Sequence, residues 1–124
     1  MSSENSLKDL LKRATEQAES GRQEEAEASF TKIITQYPRD SRGLLGRSLL
    51  RLARGNADGA LEDVDAALRL GEDWFLYTHR ATIRRSIGQR GEALGDVERA
   101  LSLRPLKSHA KRALEYLRTQ LHLK

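Results

Sequence analysis

The chain has 124 residues and a mass of 14.0 kDa, enough for a single domain with a real core. Hydrophobic residues make up 38% and charged residues 32%, which is too apolar for a disordered tail and too polar for a membrane protein, and no apolar stretch nears the roughly 20 residues of a membrane span. There is no cysteine, so disulfide scaffolds, thiolate metal sites and cysteine nucleophiles are excluded, and the net charge of +4 is modest.

Leu, Ala, Glu, Arg and Lys dominate while β-branched and aromatic residues are sparse, which predicts helices throughout. Residues 1–6 lack apolar periodicity and are expected to form a flexible N-terminus. From Leu7, the spacing of Leu7, Leu10, Leu11, Ala14 and Ala18 predicts a first helix, stopped by Gly21. A second helix follows through Ala26, Phe30 and Ile33 and cannot pass Pro38. Leu44, Leu45, Leu49 and Leu52 predict a third helix, closed by Gly55. Ala60, Val64, Ala67 and Leu68 predict a fourth, closed by Gly71. Asp73 is placed to cap a fifth, which carries Tyr77, Ala81 and Ile83 and ends at Gly88. A sixth runs through Ala93, Val97, Ala100 and Leu101 to Pro105. A seventh carries Ala110, Ala113, Leu114, Leu117 and Leu121 on one stripe, with Lys111, Arg112, Arg118 and Lys124 mostly off it.

These elements repeat. Ala60–Leu70 and Ala93–Leu103 agree at seven of eleven positions, at an offset of 33. Each block begins five residues after a glycine, and 34 residues before Ala60 stands Ala26, itself five after Gly21. Val64 and Val97 then correspond to Phe30, and Ala67 and Ala100 to Ile33. Fixed-period self-similarity of this length is the mark of stacked helical repeats. Three copies span 7–40, 41–73 and 74–107, with a capping helix over 108–124.

The pattern resembles the tetratricopeptide repeats in its 34-residue period, the glycine between helices, the alanine opening the second helix and the closing proline. It departs from them where Leu10 and Leu44 replace the usual early aromatic, kept only as Tyr77, and where Glu72 stands in place of the second proline. The resemblance implies an all-α, right-handed α-α superhelical solenoid of three helix pairs plus the capping helix. It further implies a concave groove lined by the first helices, which takes a peptide or helix of a partner protein. Carried onto this chain, the groove residues are Lys8, Leu11, Lys12, Arg42, Leu45, Leu49, Phe75, His79, Thr82, Arg85 and Arg112. Two readings of Leu11, Leu45 and Leu49 stay open, contact with a ligand or packing between helices. Gly46 is open in the same way, between room for a ligand backbone and close approach of a neighbouring helix.

The carboxylate clamp that some of these repeats use for chaperone tails ending in Glu-Glu-Val-Asp does not carry over. Its places hold Leu11 and Thr15, then Gly46 with Arg47, then Phe75 and His79, and only Arg47 agrees.

No nucleotide loop, dinucleotide fingerprint or His-Glu-x-x-His motif is present, so neither an enzyme nor a bound cofactor is expected. His79, His109 and His122 are scattered, the last two at opposite ends of the seventh helix, and are expected at the surface, with no metal site. Asp63-x-Asp65 lacks the glycine and glutamate of a calcium loop. Without a signal peptide or a membrane segment, a cytoplasmic location is expected.

The charge is uneven: residues 1–73 sum to −3 and residues 74–124 to +7. Basic character attracts acidic peptides, nucleic acid or anionic lipid equally well and on its own names none of them; with the groove that the resemblance implies, the expected partner segment is acidic or mixed acidic and apolar. A nucleic-acid ligand is the alternative, resting on Arg84, Arg85, Arg90, Arg104, Lys107, Lys111, Arg112 and Arg118. Few aromatics accompany those residues to stack on bases.

Overall fold

The computed structural model describes residues 3–103 and 107–123. Among them run seven helices and no strand: α1 (Ser3–Glu19), α2 (Gln23–Gln36), α3 (Ser41–Ala53), α4 (Ala57–Leu70), α5 (Trp74–Ser86), α6 (Arg90–Ser102) and α7 (Ser108–His122). They fall into two compact units, Met1–Leu70 with α1 to α4 and Gly71–Lys124 with α5 to α7.

Helix α1 begins at Ser3, inside the 1–6 stretch expected to be flexible, because nothing in Ser3-Glu-Asn-Ser breaks a helix. The stop assigned to Pro105 lies outside the described residues; α6 has already ended at Ser102.

One device ends α1, α3 and α5. Gly21, Gly55 and Gly88 sit at φ 84°, 82° and 84°, a left-handed conformation that costs glycine nothing and an L side chain about 1 kcal/mol or more. Past each glycine the next amide turns back to the helix: Arg22 to the Gln17 carbonyl (2.9 Å), Asn56 to that of Arg51 (2.8 Å) and Gln89 to that of Arg84 (2.8 Å). Carbonyls left over at a helix end are thereby satisfied and the chain is aimed straight into the next helix. Starts are capped by side chains at three places. Asp40 accepts from the Arg42 amide (3.0 Å), Asn56 from that of Gly59 (2.9 Å), and Asp73 from those of Phe75 (2.7 Å) and Leu76 (3.3 Å).

In the first unit α1 packs on α2, α2 on α3, and α3 on α4. Leu7, Ala14, Ala26, Phe30, Ile33 and Leu50 form one buried cluster. Ala14 and Ala26 are small enough for α1 and α2 to approach, and Phe30 and Ile33 fill the rest. Full burial of a side chain such as Ile33 contributes roughly 2 kcal/mol. In the second unit α6 packs against both α5 and α7, and Ala81, Ala93, Val97, Ala100, Ala110 and Leu114 are buried.

Gly43 and Gly46 are packing residues. A Cβ on Gly46 would lie 2.3 Å from the Phe30 ring, and one on Gly43 would lie 3.0 Å from Ile33. Of the two readings left open for Gly46, close approach of a neighbouring helix is the one the structure bears out.

Candidate functional site

The predicted contact residues divide between the two units. Lys8, Leu11 and Lys12 on α1 and Arg42, Leu45 and Leu49 on α3 belong to the first. Phe75, His79, Thr82 and Arg85 on α5 and Arg112 on α7 belong to the second.

On α3 the buried side is Gly43, Leu44, Ser48 and Leu50. Helical geometry turns the leucines between them outward: Leu49 is 44% exposed, and Leu45 and Leu52 are half-buried. Leu49 is therefore surface, not core. Leu11 is the mixed case, half-buried and packed against the core cluster beside Leu10 and Ala18. Lys8 and Lys12 are exposed. The outer side of α3 thus carries a short leucine strip, with α1 presenting two cations.

Arg42 is engaged within its own chain. Its Nε and Nη2 donate to Asp40 Oδ1 (3.0 Å) and Oδ2 (2.9 Å), and the guanidinium holds that carboxyl below the usual carboxylate range.

On α5 and α7, Phe75, Thr82, Arg85 and Arg112 are exposed. His79 is not. Only 5% exposed, it is withdrawn from the contact face where the sequence placed it, and burial pushes its imidazole down to about 4. The repeat explains the burial: 33 residues earlier stands Gly46, whose missing side chain makes room for Phe30, so this position of the first helix is an interior one.

No family model matches the chain. Among curated proteins it is 29% identical over 90 residues to tetratricopeptide repeat protein 6 of Homo sapiens, covering 73% of this chain but only 17% of that one. Among solved structures it superposes on the type III secretion chaperone SycD of Yersinia enterocolitica, in complex with a peptide of the translocator YopD, with a TM-score of 0.84, 23% identity and coverage of 94% and 92% of the two chains. It also superposes on the first tetratricopeptide-repeat domain of Spaghetti (RPAP3), bound to the HSP90 peptide SRMEEVD, with a TM-score of 0.77, 22% identity and coverage of 93% and 92%. The chain has the tetratricopeptide-repeat fold.

Within this tetratricopeptide-repeat fold, sequence reasoning missed a pair of internal ion clusters. Asp63 and Asp96, each 3% exposed, hold the same place in copies two and three. Arg47 donates to both oxygens of Asp63 (3.0 and 2.7 Å), and Arg51 adds a third contact at 3.3 Å. In copy three Arg80 reaches Asp96 Oδ1 (3.1 and 2.7 Å) and Arg84 reaches Oδ2 (2.9 Å). In copy one the corresponding pair is neutral, with the Ser29 hydroxyl donating to Gln17 Oε1 at 2.6 Å. Arg51 also contacts Glu27 (3.3 Å), which Arg54 meets at 3.1 Å, whereas the buried Nε of Arg84 has no partner among the described residues. The signal was present in the sequence: Asp63 and Asp96 lie inside the repeated block, and Arg47 and Arg80, like Arg51 and Arg84, are 33 apart. These clusters join the two helices of a pair, so Arg47, the one agreement with the chaperone-tail clamp, is a structural residue here.

The set of cations behind the nucleic-acid alternative shrinks. Arg84 is tied to Asp96 and Arg118 to Glu98 (3.1 Å), and Arg104 lies outside the described residues. No group of three or more His, Cys, Asp or Glu gathers among the described residues, nor is any of their helices long and apolar enough to cross a membrane.

Proposed function

We propose that this chain is a protein-interaction module, an adaptor, assembly factor or co-chaperone subunit, that holds a peptide or helix of a partner protein against the exposed sides of its first helices. The observation that carries the reading is Leu49: a large apolar side chain left 44% exposed between half-buried Leu45 and Leu52. An exposed apolar strip of this kind is what a contact surface offers. SycD and RPAP3, which share the fold, are each solved with a peptide bound. The ligand class proposed is a segment of acidic or mixed acidic and apolar character. The reading needs no cofactor and no catalytic step, and it places the protein in the cytoplasm. SRMEEVD itself should not bind, because Leu11, Thr15, Phe75 and His79 stand where the clamp needs amide and cationic side chains.

The test is affinity capture from the native cell extract with wild type and Leu49→Glu, each first melted by circular dichroism. A charge on an exposed site leaves the melting temperature near wild type and removes capture, since central apolar contacts carry most of the binding energy. Undiminished capture by the folded variant would move the site off this face.

A further inference from the structure

The three helix pairs share one polar position, and the first of them lacks its anion. Counting back 34 residues from Arg47, Arg51 and Asp63 gives Arg13, Gln17 and Ser29, and counting on 33 gives Arg80, Arg84 and Asp96. In the second and third pairs the buried carboxylate draws both arginines onto it. The first pair keeps one arginine, Arg13, but has Gln17 for the other and Ser29 for the acid.

In the first pair these residues line a cavity instead. It measures about 220 Å³ and is lined by Leu10, Arg13 and Gln17 of α1 and by Ser29, Lys32 and Ile33 of α2. Two of these residues are cations and none is a carboxylate. Arg13 and Lys32 are exposed, and no other described residue pairs with either head group. Gln17 is only 8% exposed. Its Oε1 accepts from the Ser29 hydroxyl at 2.6 Å, so its amide NH2 is left to donate and has no acceptor among the described residues. A nearly buried donor without an acceptor is costly and calls for a partner. The guanidinium, the ammonium and the amide are all donors, so the group that satisfies them is an anion. A larger hollow beside the cavity shares Arg13 and Gln17, but it is also lined by Asp9, Glu16 and Glu25, which offset its cations.

We propose that the cavity between α1 and α2 binds a small organic carboxylate, whose anion takes the place that Asp63 and Asp96 fill in the other two pairs. The carboxylate lies on the Arg13 guanidinium and the Gln17 amide, Lys32 adds a second charge, and the carbon chain lies on Leu10 and Ile33. Guanidiniums suit carboxylates through planar, bidentate pairing, the geometry that Arg47 already makes with Asp63. The volume exceeds the roughly 150 Å³ of an engineered cavity that takes up benzene, so a chain of about four to six carbons fits. Inorganic phosphate would meet the charges and leave the apolar wall unused. Bound here, the ligand ties α1 to α2 as Asp63 ties α3 to α4, and it stabilises the folded chain by mass action. None of the six lining residues belongs to the proposed peptide surface, so the site is independent of that reading.

The test is a titration of the full chain at fixed ionic strength, followed through the side-chain amide signals of Gln17 in nitrogen-15 spectra and through the melting temperature. The probes are sodium pentanoate, neutral pentanamide and inorganic phosphate. Pentanoate should shift the Gln17 signals saturably and raise the melting temperature, and pentanamide should bind at least tenfold more weakly. Ser29→Asp supplies the missing carboxylate from within. It should melt at or above wild type and lose pentanoate binding at least tenfold. Arg13→Gln, a change at an exposed position, should lose binding to the same degree at an unchanged melting temperature, while Leu49→Glu binds as wild type does. Absence of a saturable shift, equal binding of pentanamide, or undiminished binding by Arg13→Gln would overturn the proposal. Tighter binding of phosphate than of pentanoate would overturn the carboxylate class.

Discussion

Asp63 and Asp96 each anchor two arginines from the neighbouring helix, so removing either carboxylate leaves two half-buried cations without their counter-charge. Breaking a buried pair from one side is costly. Asp63→Ala and Asp96→Ala should each lower the unfolding free energy by about 3 kcal/mol in urea titration; a loss within experimental error would show the clusters to be incidental. The glycines of helix interiors make a second contrast. Gly46→Ala drives a Cβ into the Phe30 ring and should destabilise by about 1–3 kcal/mol. Exposed Gly95 on α6, with nothing within 4 Å, should gain about 0.5–1 kcal/mol as Ala. The opposite order of the two midpoints would contradict the packing described. Arg42 is a poor place for charge reversal, since a Glu there would face Asp40, the carboxylate that caps α3.

Whole helices were easier to read from the sequence than the faces they expose. Gly21, Gly55 and Gly88, the small residues Ala26, Ala60 and Ala93, and the cap at Asp73 were legible because each follows from a local rule of backbone or packing. The outward turn of Leu49 was not, because five leucines on α3 allow two adjacent stripes and only packing by Phe30 and Ile33 onto Gly46 and Gly43 selects between them. The burial of His79 was hidden for the same reason: its counterpart in copy two is a glycine, which advertises no side. Nothing in the sequence marked Asp63 as buried, because charge is ordinarily the sign of an exposed position. At this scale the cap on α5 gives a simple check. Asp73→Ala loses the acceptor for the Phe75 and Leu76 amides and should lower stability by about 1 kcal/mol, with Asp73→Ser largely restoring it in a melting series. Equal melting of wild type and the alanine variant would show that the cap adds nothing.

For the molecule as a whole, acid stability follows from His79. Its imidazole stays neutral in the fold down to about 4 and protonates near 6.5 when unfolded. Between those values the unfolded chain binds the extra proton, so stability should fall as pH drops from about 6.5 to 4, by roughly 3 kcal/mol. Asp40, lowered by Arg42, contributes stability that is lost only at more acid pH. His79→Gln should flatten the upper part of this profile in denaturant titrations, and an unchanged slope in the variant would assign the pH dependence to other groups.

The central claim is that the exposed side of the first helices holds the partner. A photo-crosslinking amino acid at position 49, compared with one at exposed Glu62 on α4, tests it most directly in native extract. A crosslink to one partner segment is expected from position 49 and none from position 62, with the joined peptide identified by mass spectrometry. Crosslinking from position 62 alone would contradict it.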